Sequence, residues 1–166
     1  QANLIIDEVL TNFSSSVGHS FTYYGYDSSN NITSIEFDSD ADGQIDEGTY
    51  YAYDGQNRQT VNEVDSNGDG QINSGEYWNF DANGYQISHE VDGNGDGQID
   101  SGHYESYDGD GNRLSSEFDD NGDGQIDEAY YWSYDAQGYQ TYYAEDTNGD
   151  ASLDYAEYYS YLNTCP

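Results

Sequence analysis

The stretch that decides the fold is DDNGDGQID, Asp119–Asp127, because almost the same nine residues recur at a fixed interval along most of the chain. Oxygen-bearing side chains stand at positions 1, 3, 5, 7 and 9, and glycine stands at position 6. Calcium loops take side-chain oxygens from positions 1, 3 and 5 and a backbone carbonyl from position 7, often act through water at position 9, and bend at the glycine. The stretch therefore predicts a loop that wraps a calcium ion.

Four further stretches keep this pattern, so the chain has five candidate loops. The predicted ligands are Asp38, Asp40, Asp42, Gln44 and Asp46 in loop 1; Asp65, Asn67, Asp69, Gln71 and Asn73 in loop 2; Asp92, Asn94, Asp96, Gln98 and Asp100 in loop 3; Asp119, Asn121, Asp123, Gln125 and Asp127 in loop 4; and Asp146, Asn148, Asp150, Ser152 and Asp154 in loop 5. Loop 5 has Ala151 at position 6, where the other loops have glycine, so we expect it to be weaker or distorted. The pattern predicts one Ca²⁺ ion for each loop, about five in all.

Further carboxylates keep the same register as the loops. Calcium loops usually place a bidentate glutamate at position 12, which here is Glu76 after loop 2 and Glu157 after loop 5. Elsewhere the position holds Thr49, His103 or Tyr130, so the two oxygens must come from another residue. One glutamate stands two residues before each of the first four loops: Glu36, Glu63, Glu90 and Glu117. We predict that these glutamates ligate the ion of their own or the adjacent loop; the alternative is a solvated carboxylate.

Composition argues against an ordinary hydrophobic globule. Leu, Ile, Val and Phe together make 24 of the 166 residues, which is below the fraction of about 20% under which highly charged chains are disordered. The 34 acidic residues outnumber the two basic ones and give a formal charge of −32, so the compact state repels itself unless cations bind. We therefore predict a calcium-dependent fold that is largely lost when the metal is chelated, because binding energy becomes folding energy.

The same charge excludes several classes of partner. A surface this acidic offers no phosphate-binding patch and is repelled by anionic membranes, so we expect neither nucleic acid nor a membrane as partner. No apolar run is long enough to span a bilayer, and no signal peptide is visible. We expect an exported protein whose signal peptide has been removed, located outside the cell, where calcium is high enough for weak loops.

The loops belong to a repeat of 27 residues. Each unit continues from its loop into an aromatic segment such as Tyr77–Phe80, then a tight turn such as Asp81–Gly84, then a β-branched segment such as Tyr85–Val91. Aspartate at the start of the turn and glycine or asparagine at its end favour hairpins, and the flanking residue types favour strands. We predict a mainly β fold in which antiparallel hairpins, joined by calcium loops, form a ribbon or solenoid.

Repeated aromatic residues are expected to stack as ladders along this array. The two sets are Tyr23, Tyr50, Tyr77, Tyr104, Tyr131 and Tyr158, and Tyr26, Tyr53, Phe80, Tyr107, Tyr134 and Tyr161. Stacked tyrosines bury a large area while their hydroxyls stay in water. The alternative is an aromatic strip that binds carbohydrate.

The chain divides into three parts by sequence. Residues 1–22 form an N-terminal segment that includes the apolar Leu4–Leu10, residues 23–145 hold the calcium-loop and hairpin repeats, and residues 146–166 hold the degenerate last loop and a tail. A short helix is an alternative for Tyr155–Leu162, which lacks a turn signal. The lone Cys165 cannot form an internal disulfide; it is either inconsequential or bridges two chains.

Two stretches resemble known families. The run DxNGDGxI[DN], as in Asp65–Asn73 and Asp92–Asp100, is similar to the loops of EF-hands and most similar to those of dockerins and thrombospondin type 3 repeats. The segments Tyr53–Arg58 (YDGQNR) and Tyr107–Leu114 (YDGDGNRL) resemble the YD (Rhs) repeats of secreted bacterial proteins. The resemblances imply calcium binding and β-strand shells.

No catalytic set emerges, because His19, His89 and His103 share no repeat register and metal ligation accounts for the carboxylates. We therefore expect a structural protein rather than an enzyme. Its calcium ladder would rigidify it, and it would join head to tail with copies of itself into an extracellular filament, matrix or adhesin element. Leu4–Leu10 would then be either the donor segment for joining or a cap on its own chain. The alternative is a calcium-dependent binding module, which would bind glycans through its aromatics or dock as dockerins do.

Overall fold

The computed structural model describes residues 5–11 and 18–161. Within these ranges the chain forms twelve strands: β1 (Ile5–Thr11), β2 (Gly18–Tyr26), β3 (Ile32–Asp38), β4 (Glu47–Tyr53), β5 (Gln59–Asp65), β6 (Ser74–Phe80), β7 (Gln86–Asp92), β8 (Ser101–Tyr107), β9 (Arg113–Asp119), β10 (Glu128–Tyr134), β11 (Gln140–Asp146) and β12 (Tyr155–Tyr158). From β3 to β12, calcium loops and hairpin turns alternate as the connections between strands. The mainly β fold predicted from the repeat is confirmed.

The chain divides into two compact units, one of residues 1–78 and 91–98, the other of residues 79–90 and 99–166. In the first unit, the strands from β1 to β6 pair antiparallel with their neighbours in sequence. In the second unit, the strands from β8 to β12 do the same. Because antiparallel strands need only short connections, the loops and turns of the repeat suffice to join them. The predicted series of antiparallel hairpins is confirmed in each unit.

The hairpin turns follow the chemistry that the sequence predicts. After β4, the N–H of Asp54 donates to the carbonyl of Arg58 at 2.9 Å, and the N–H of Asn57 donates to the carbonyl of Asp54 at 3.0 Å. Asn57 has a φ of 62°, and the pairing register shifts between Ala52 and Tyr53. The residues with positive φ at the same place in the other turns are Asn30, Gly84, Gly111 and Gly138. A left-handed residue next to a bulge is the ordinary geometry of a three-residue hairpin loop.

Among residues 18–161, whose burial the structure describes, almost no large apolar side chain is fully buried. In the described part of the chain, the buried apolar residues are Ala129 and Ala144. The buried polar residues there are Ser20, Asp38, Asp65, Ser88, Asp92, Ser116, Asp119 and Asp146. Burial of apolar surface is the usual stabilising term in folding. Because this fold fully buries carboxylates, we expect bound cations to contribute to its stability.

Tyrosines cover glycines on their own strands. A Cβ added to Gly48 would lie 2.5 Å from the hydroxyl oxygen of Tyr50, and Gly75 has the same relation to Tyr77. Gly102 and Tyr104 repeat the arrangement on β8. Equivalent tyrosines of successive repeats have one strand between them, which places their strands about 10 Å apart at ordinary strand spacing. Their stacking as a ladder stays a prediction.

The helix alternative near the end of the chain is wrong where it can be examined. Tyr155–Tyr158 forms strand β12 and pairs with β11, from Glu145↔Tyr155 to Tyr142↔Tyr158, because the edge of β11 supplies backbone hydrogen bonds. At the other end, Ile5–Thr11 forms β1 and pairs with β2. Residues Leu4, Leu162 and Cys165 lie outside the described ranges. No helix within those ranges is long and apolar enough to cross a membrane.

Candidate calcium loops

Loops 1, 2, 4 and 5 are closed at their bases by a backbone hydrogen bond. The N–H of position 9 donates to the carbonyl of the residue before position 1, at 2.8 Å in loops 1 and 5 and at 2.7 Å in loops 2 and 4. Loop 3 is divided between the two units, with residues 92–98 in the first and Asp100 in the second. The closing bond places the two ends of a loop side by side, so the intervening residues must fold into a ring.

The side chain at position 9 also helps to close the ring. In loop 2, an Asn73 oxygen accepts both the N–H and the hydroxyl of Ser66, each at 2.7 Å. The position-9 carboxylates of loops 1, 4 and 5 accept the N–H of position 2 in the same way. The Ser39 hydroxyl and then its N–H hold the pKa of Asp46 below its ordinary value. Position 9, predicted to act on the ion through water, therefore has a structural role as well.

The aspartate at position 1 lies at the centre of each ring. It is between 1% and 6% exposed in all five loops. In loop 2, Asp65 Oδ1 accepts the N–H of Gly68 and Oδ2 accepts the N–H of Gly70, both at 2.8 Å. Burial raises the pKa of Asp65, but the loop's N–H donors lower it by more, so its pKa lies below the ordinary value. The pKa of Asp92 in loop 3 is lowered in the same way. Asp65 and Asp92 are therefore ionised at neutral pH.

Positions 3 and 5 are fixed by local hydrogen bonds. In loop 2, the Asn67 side-chain oxygen accepts the N–H of Asp69 at 3.1 Å, and an Asp69 oxygen accepts the N–H of Gln71 at 2.9 Å. Such Asx turns bend the backbone every second residue. At position 7 of loop 5, the N–H of Ser152 makes the equivalent bond at 2.8 Å. The alternation of oxygen-bearing residues thus shapes the loop as well as supplying ligands.

In loop 1, the three predicted carboxylate ligands converge. One oxygen from each of Asp38, Asp40 and Asp42 lies within 4.8 Å of the other two. Calcium holds its oxygens at about 2.3–2.6 Å, so oxygens on opposite sides of one ion are about 5 Å apart. The donor set is all oxygen, as this hard cation requires. Loop 1 therefore fits a calcium ion, which would supply the positive charge that the cluster lacks.

Successive loops contact one another through the glycine at position 4. A Cβ added to Gly68 would lie 2.0 Å from the carbonyl oxygen of Ile45 in the preceding loop. The same close approach joins Gly95 to Ile72, Gly122 to Ile99 and Gly149 to Ile126. Loop 1, which no other loop precedes in the sequence, has Ala41 at this position. Sequence analysis missed the role of this glycine. The presence of alanine at this position only in the first loop could have indicated that the later loops need glycine to contact the loop before them.

The glutamates that precede the loops face tyrosine hydroxyls. The Tyr77 hydroxyl donates to Glu63 Oε1 at 3.0 Å. Burial, then Glu63, then the charge of Asp92 at position 1 of loop 3 raise the pKa of Tyr77. The equivalent pairs are Tyr50 with Glu36, Tyr104 with Glu90, and Tyr131 with Glu117. Each glutamate therefore lies near a loop aspartate with a phenol beside both, and its ligation of an ion stays a prediction.

Position 12 differs from loop to loop. After loop 5, Glu157 accepts hydrogen bonds from Tyr155 at 3.1 Å and Tyr159 at 2.8 Å. Glu76, after loop 2, lies half-buried on β6 opposite Asn62. After loop 3, a ring nitrogen of His103 is 2.9 Å from the Ser116 hydroxyl. Ligation by the two glutamates stays a prediction.

Loop 5 keeps the loop backbone without the usual glycine. Ala151 has a φ of 63°, and Ala41 in loop 1 has a φ of 60°. The left-handed conformation costs a residue with a side chain about 1 kcal/mol. Asp146 still accepts the N–H of Gly149 at 3.0 Å. The prediction that loop 5 binds more weakly therefore rests on the strain at position 6; loop 1, whose strained alanine is at position 4, has one more carboxylate among positions 1, 3 and 5.

Comparisons with known proteins agree with the calcium interpretation of two loops. The EF hand family model matches residues 59–84 and 116–129, which contain loops 2 and 4. No curated protein matches the chain. Among solved structures, the chain is similar to a chain of the TcdB2-TccC3-Cdc42 crystal structure, at 14% identity with a TM-score of 0.46 over 83% of this chain and 9% of that one. A chain of the TcdB2-TccC3-TEV crystal structure matches at 15% identity with a TM-score of 0.43 over 79% of this chain and 8% of that one. This chain thus spans less than a tenth of the length of either.

Proposed function

We propose that this chain is an exported calcium-binding structural repeat protein, in which ions in loops 1–5 take the place of a hydrophobic interior. The observation that supports it best is the burial of an aspartate in every loop, at 1–6% exposure. A buried carboxylate is costly unless a positive charge accompanies it. The chain has only two basic residues, and Arg58 and Arg113 are paired with Asp54 and Glu105, so the cations must come from solution.

Charge determines how far bound ions neutralise the chain and which loop binds calcium most tightly. Five divalent ions would add ten positive charges to the net charge of −32 and leave about −22, so they relieve local repulsion without neutralising the chain. Affinity rises with the number of charged ligands. Loop 1 has aspartate at positions 1, 3 and 5, whereas the other loops have asparagine at position 3. Loop 1 therefore binds most tightly under this proposal, and we propose that the loops are of the dockerin or thrombospondin type 3 kind.

Calorimetric titration of the chelator-treated chain tests the proposal. We expect about five calcium ions per chain, and weaker binding of magnesium, because magnesium demands near-ideal octahedral geometry and loses its water reluctantly. The matched variant is Asp40→Asn, which gives loop 1 the asparagine that the other loops carry at position 3. It should lower the affinity of the tightest site only. No calcium heat, or equal binding of magnesium, would contradict the proposal.

We also propose that chains associate head to tail in calcium, within an extracellular filament, matrix or adhesin element. The support is the exposed aromatic surface of β12, where Tyr158 is 79% exposed and Tyr155 is 46% exposed. Strand edges invite pairing with another chain. Within this proposal the chain is a structural element, and its carboxylates serve the metal rather than catalysis.

Light scattering after size exclusion tests association. The unaltered chain should form oligomers in calcium, and Tyr158→Lys should shift it towards monomer. Tyr85→Lys is the matched control, because Tyr85 is 38% exposed and precedes β7, and its ring stacks on Tyr107 of β8 rather than on a residue of β12. A monomeric chain at high concentration in calcium, or equal effects of both variants, would contradict association while leaving the calcium proposal intact.

A further inference from the structure

One face of the second unit carries a shallow cleft of about 330 Å³ that the calcium loops do not use. Its lining residues are Arg113, Ser116, Phe118, Tyr130, Trp132 and Tyr143. They come from β9, β10 and β11, and Trp132 stands directly opposite Tyr143 in the strand pairing. Small-molecule sites are usually concave and lined by aromatic side chains with a few polar groups, and their volumes begin at about 300 Å³. The cleft has this composition and this size.

The rings form a connected platform. The Tyr130 and Tyr143 rings are 6.4 Å apart between centroids and within 16° of parallel, and the Trp132 centroid is 5.9 Å from that of Tyr143. Phe118 meets Tyr130 edge to face, with centroids 6.4 Å apart. Behind Phe118, the His103 ring stacks at 4.3 Å. Three neighbouring rings therefore present their surfaces over an area wider than one side chain.

This platform is not a product of the repeat. The tyrosine and glutamate pairs beside the calcium loops recur in successive units, as a structural role requires. The position of Trp132 is aromatic in other repeats too, as at Trp78, but the position of Tyr143 holds Ser116 one repeat earlier and that of Tyr130 holds His103. The combination of large rings is therefore local, and repeat stacking alone does not call for it.

The polar groups around the platform restrict the charge of a ligand. Arg113 lies over the Trp132 ring at 4.5 Å and donates to Glu105 at 2.9 Å, so a cation already occupies that ring face. Because Arg113 covers this face of Trp132, a second cation cannot use the same face for a cation–π contact. Glu145, which accepts the Tyr143 hydroxyl at 2.7 Å, and the net charge of −32 oppose an anion. A neutral ligand is therefore favoured.

We propose that this cleft binds a neutral carbohydrate of one or two pyranose rings. The apolar face of a pyranose is flat and matches aromatic rings, which combine apolar area with polar edges. Its hydroxyls can accept from the Arg113 guanidinium and bond to the Ser116 hydroxyl, and both groups line the cleft. This binding role is additional to the structural role, and it uses a surface that no calcium loop forms.

Saturation-transfer NMR on the whole chain in calcium tests the site. The probes are cellobiose, maltose, lactose and mannobiose, with glucuronate as the anionic control and choline as the cationic one. We expect transfer to at least one neutral disaccharide and a loss of affinity of at least about tenfold in Trp132→Ala. Trp78→Ala is the matched control, because Trp78 holds the position of Trp132 two repeats earlier. It should leave binding within about twofold.

A second variant guards against misfolding. Tyr143→Leu keeps apolar bulk but removes the flat ring, and circular dichroism in calcium should match the unaltered chain while carbohydrate binding falls. Transfer to none of the disaccharides, stronger binding of choline or glucuronate, or equal losses in the Trp78 and Trp132 variants would overturn the proposal. Calcium titration of the same samples is a separate readout, so failure here does not depend on the fate of the calcium proposal.

Discussion

Two kinds of connection alternate along this chain, and both begin with an aspartate that accepts backbone N–H groups. In the turn after β4, Asp54 Oδ1 accepts the N–H of Gln56 at 2.8 Å and that of Arg58 at 3.0 Å. In loop 2, Asp65 Oδ1 accepts the N–H of Gly68 and Oδ2 accepts that of Gly70, both at 2.8 Å. The local chemistry of the two connections is therefore nearly the same.

The difference lies in burial and in the supply of positive charge. Asp54 is 23% exposed in its side chain, and the Arg58 guanidinium donates to it at 2.6 Å. Asp65 is 3% exposed, and its loop adds a second carboxylate, Asp69, and no basic residue. The comparison shows that hydrogen bonding shapes both connections, whereas burial and the number of carboxylates decide which one needs an ion.

The strongest test of this comparison removes the first aspartate of each connection. Asp65→Ala should abolish the ion of loop 2 and lower the midpoint of denaturant unfolding, because it removes the ligand at the centre of the ring. Asp81→Ala, which removes the acceptor of three turn N–H groups, should cost only about 1 kcal/mol and leave the number of bound ions unchanged. Urea unfolding and calcium titration measure both, and equal losses would break the distinction.

A second test separates loop stacking from loop bending. Gly68→Ala places a Cβ 2.0 Å from the Ile45 carbonyl oxygen, whereas Gly70→Ala meets nothing within 4 Å, and both residues have positive φ. We expect Gly70→Ala to cost about 1–2 kcal/mol for the left-handed backbone alone. Gly68→Ala should cost about 1–3 kcal/mol more, the range for overpacking. Urea unfolding in saturating calcium measures the difference, and a smaller loss for Gly68→Ala would show that the loops do not stack as described.

A smaller effect is expected at the phenol between a glutamate and a loop aspartate. Tyr77→Phe removes the hydroxyl that donates to Glu63 at 3.0 Å while keeping the ring over Gly75. We expect a loss of about 1 kcal/mol, the usual value of one hydrogen bond. Tyr139→Phe, in a turn and 53% exposed, should change stability by less than about 0.5 kcal/mol. Equal losses of stability for the two variants in thermal unfolding would show that the Tyr77 hydroxyl does not stabilise the fold.

The smallest effect concerns acid. The N–H of Arg58 is the largest influence on Asp54, and with the guanidinium it holds the pKa of Asp54 below 3.8. A carboxyl whose folded pKa is lowered stabilises the fold above its unfolded pKa of about 3.9 and loses that contribution as the pH falls through its folded pKa. NMR titration of the Asp54 carboxyl carbon should give a midpoint below 3.8, and Arg58→Ala should raise it. A midpoint at or above 3.8 in the unaltered chain would contradict the turn geometry.

Sequence predicts the positions of the loops and the hairpin turns well, because each depends on residues within one repeat. Asp81 begins a turn and Gly84 supplies its positive φ within four residues, so a short stretch of sequence is enough to predict the turn. The residue roles that sequence did not predict depend on contacts between residues that are not neighbours in the chain. The contact of Gly68 with Ile45 joins two loops, and the covering of Gly75 by Tyr77 depends on a side-chain rotamer. The strand at Tyr155–Tyr158 depends on pairing with β11, which the sequence of this segment does not reveal, so a helix remained an alternative.

Far-ultraviolet circular dichroism of the chain in calcium, and then in excess EDTA, decides whether the fold needs its ions. We expect a β spectrum in calcium, its loss on chelation because metal binding supplies the folding energy, and its recovery when calcium is restored. A β spectrum that is unchanged by EDTA would show that the fold is stable without its ions, and it would contradict the claim that calcium replaces the hydrophobic interior.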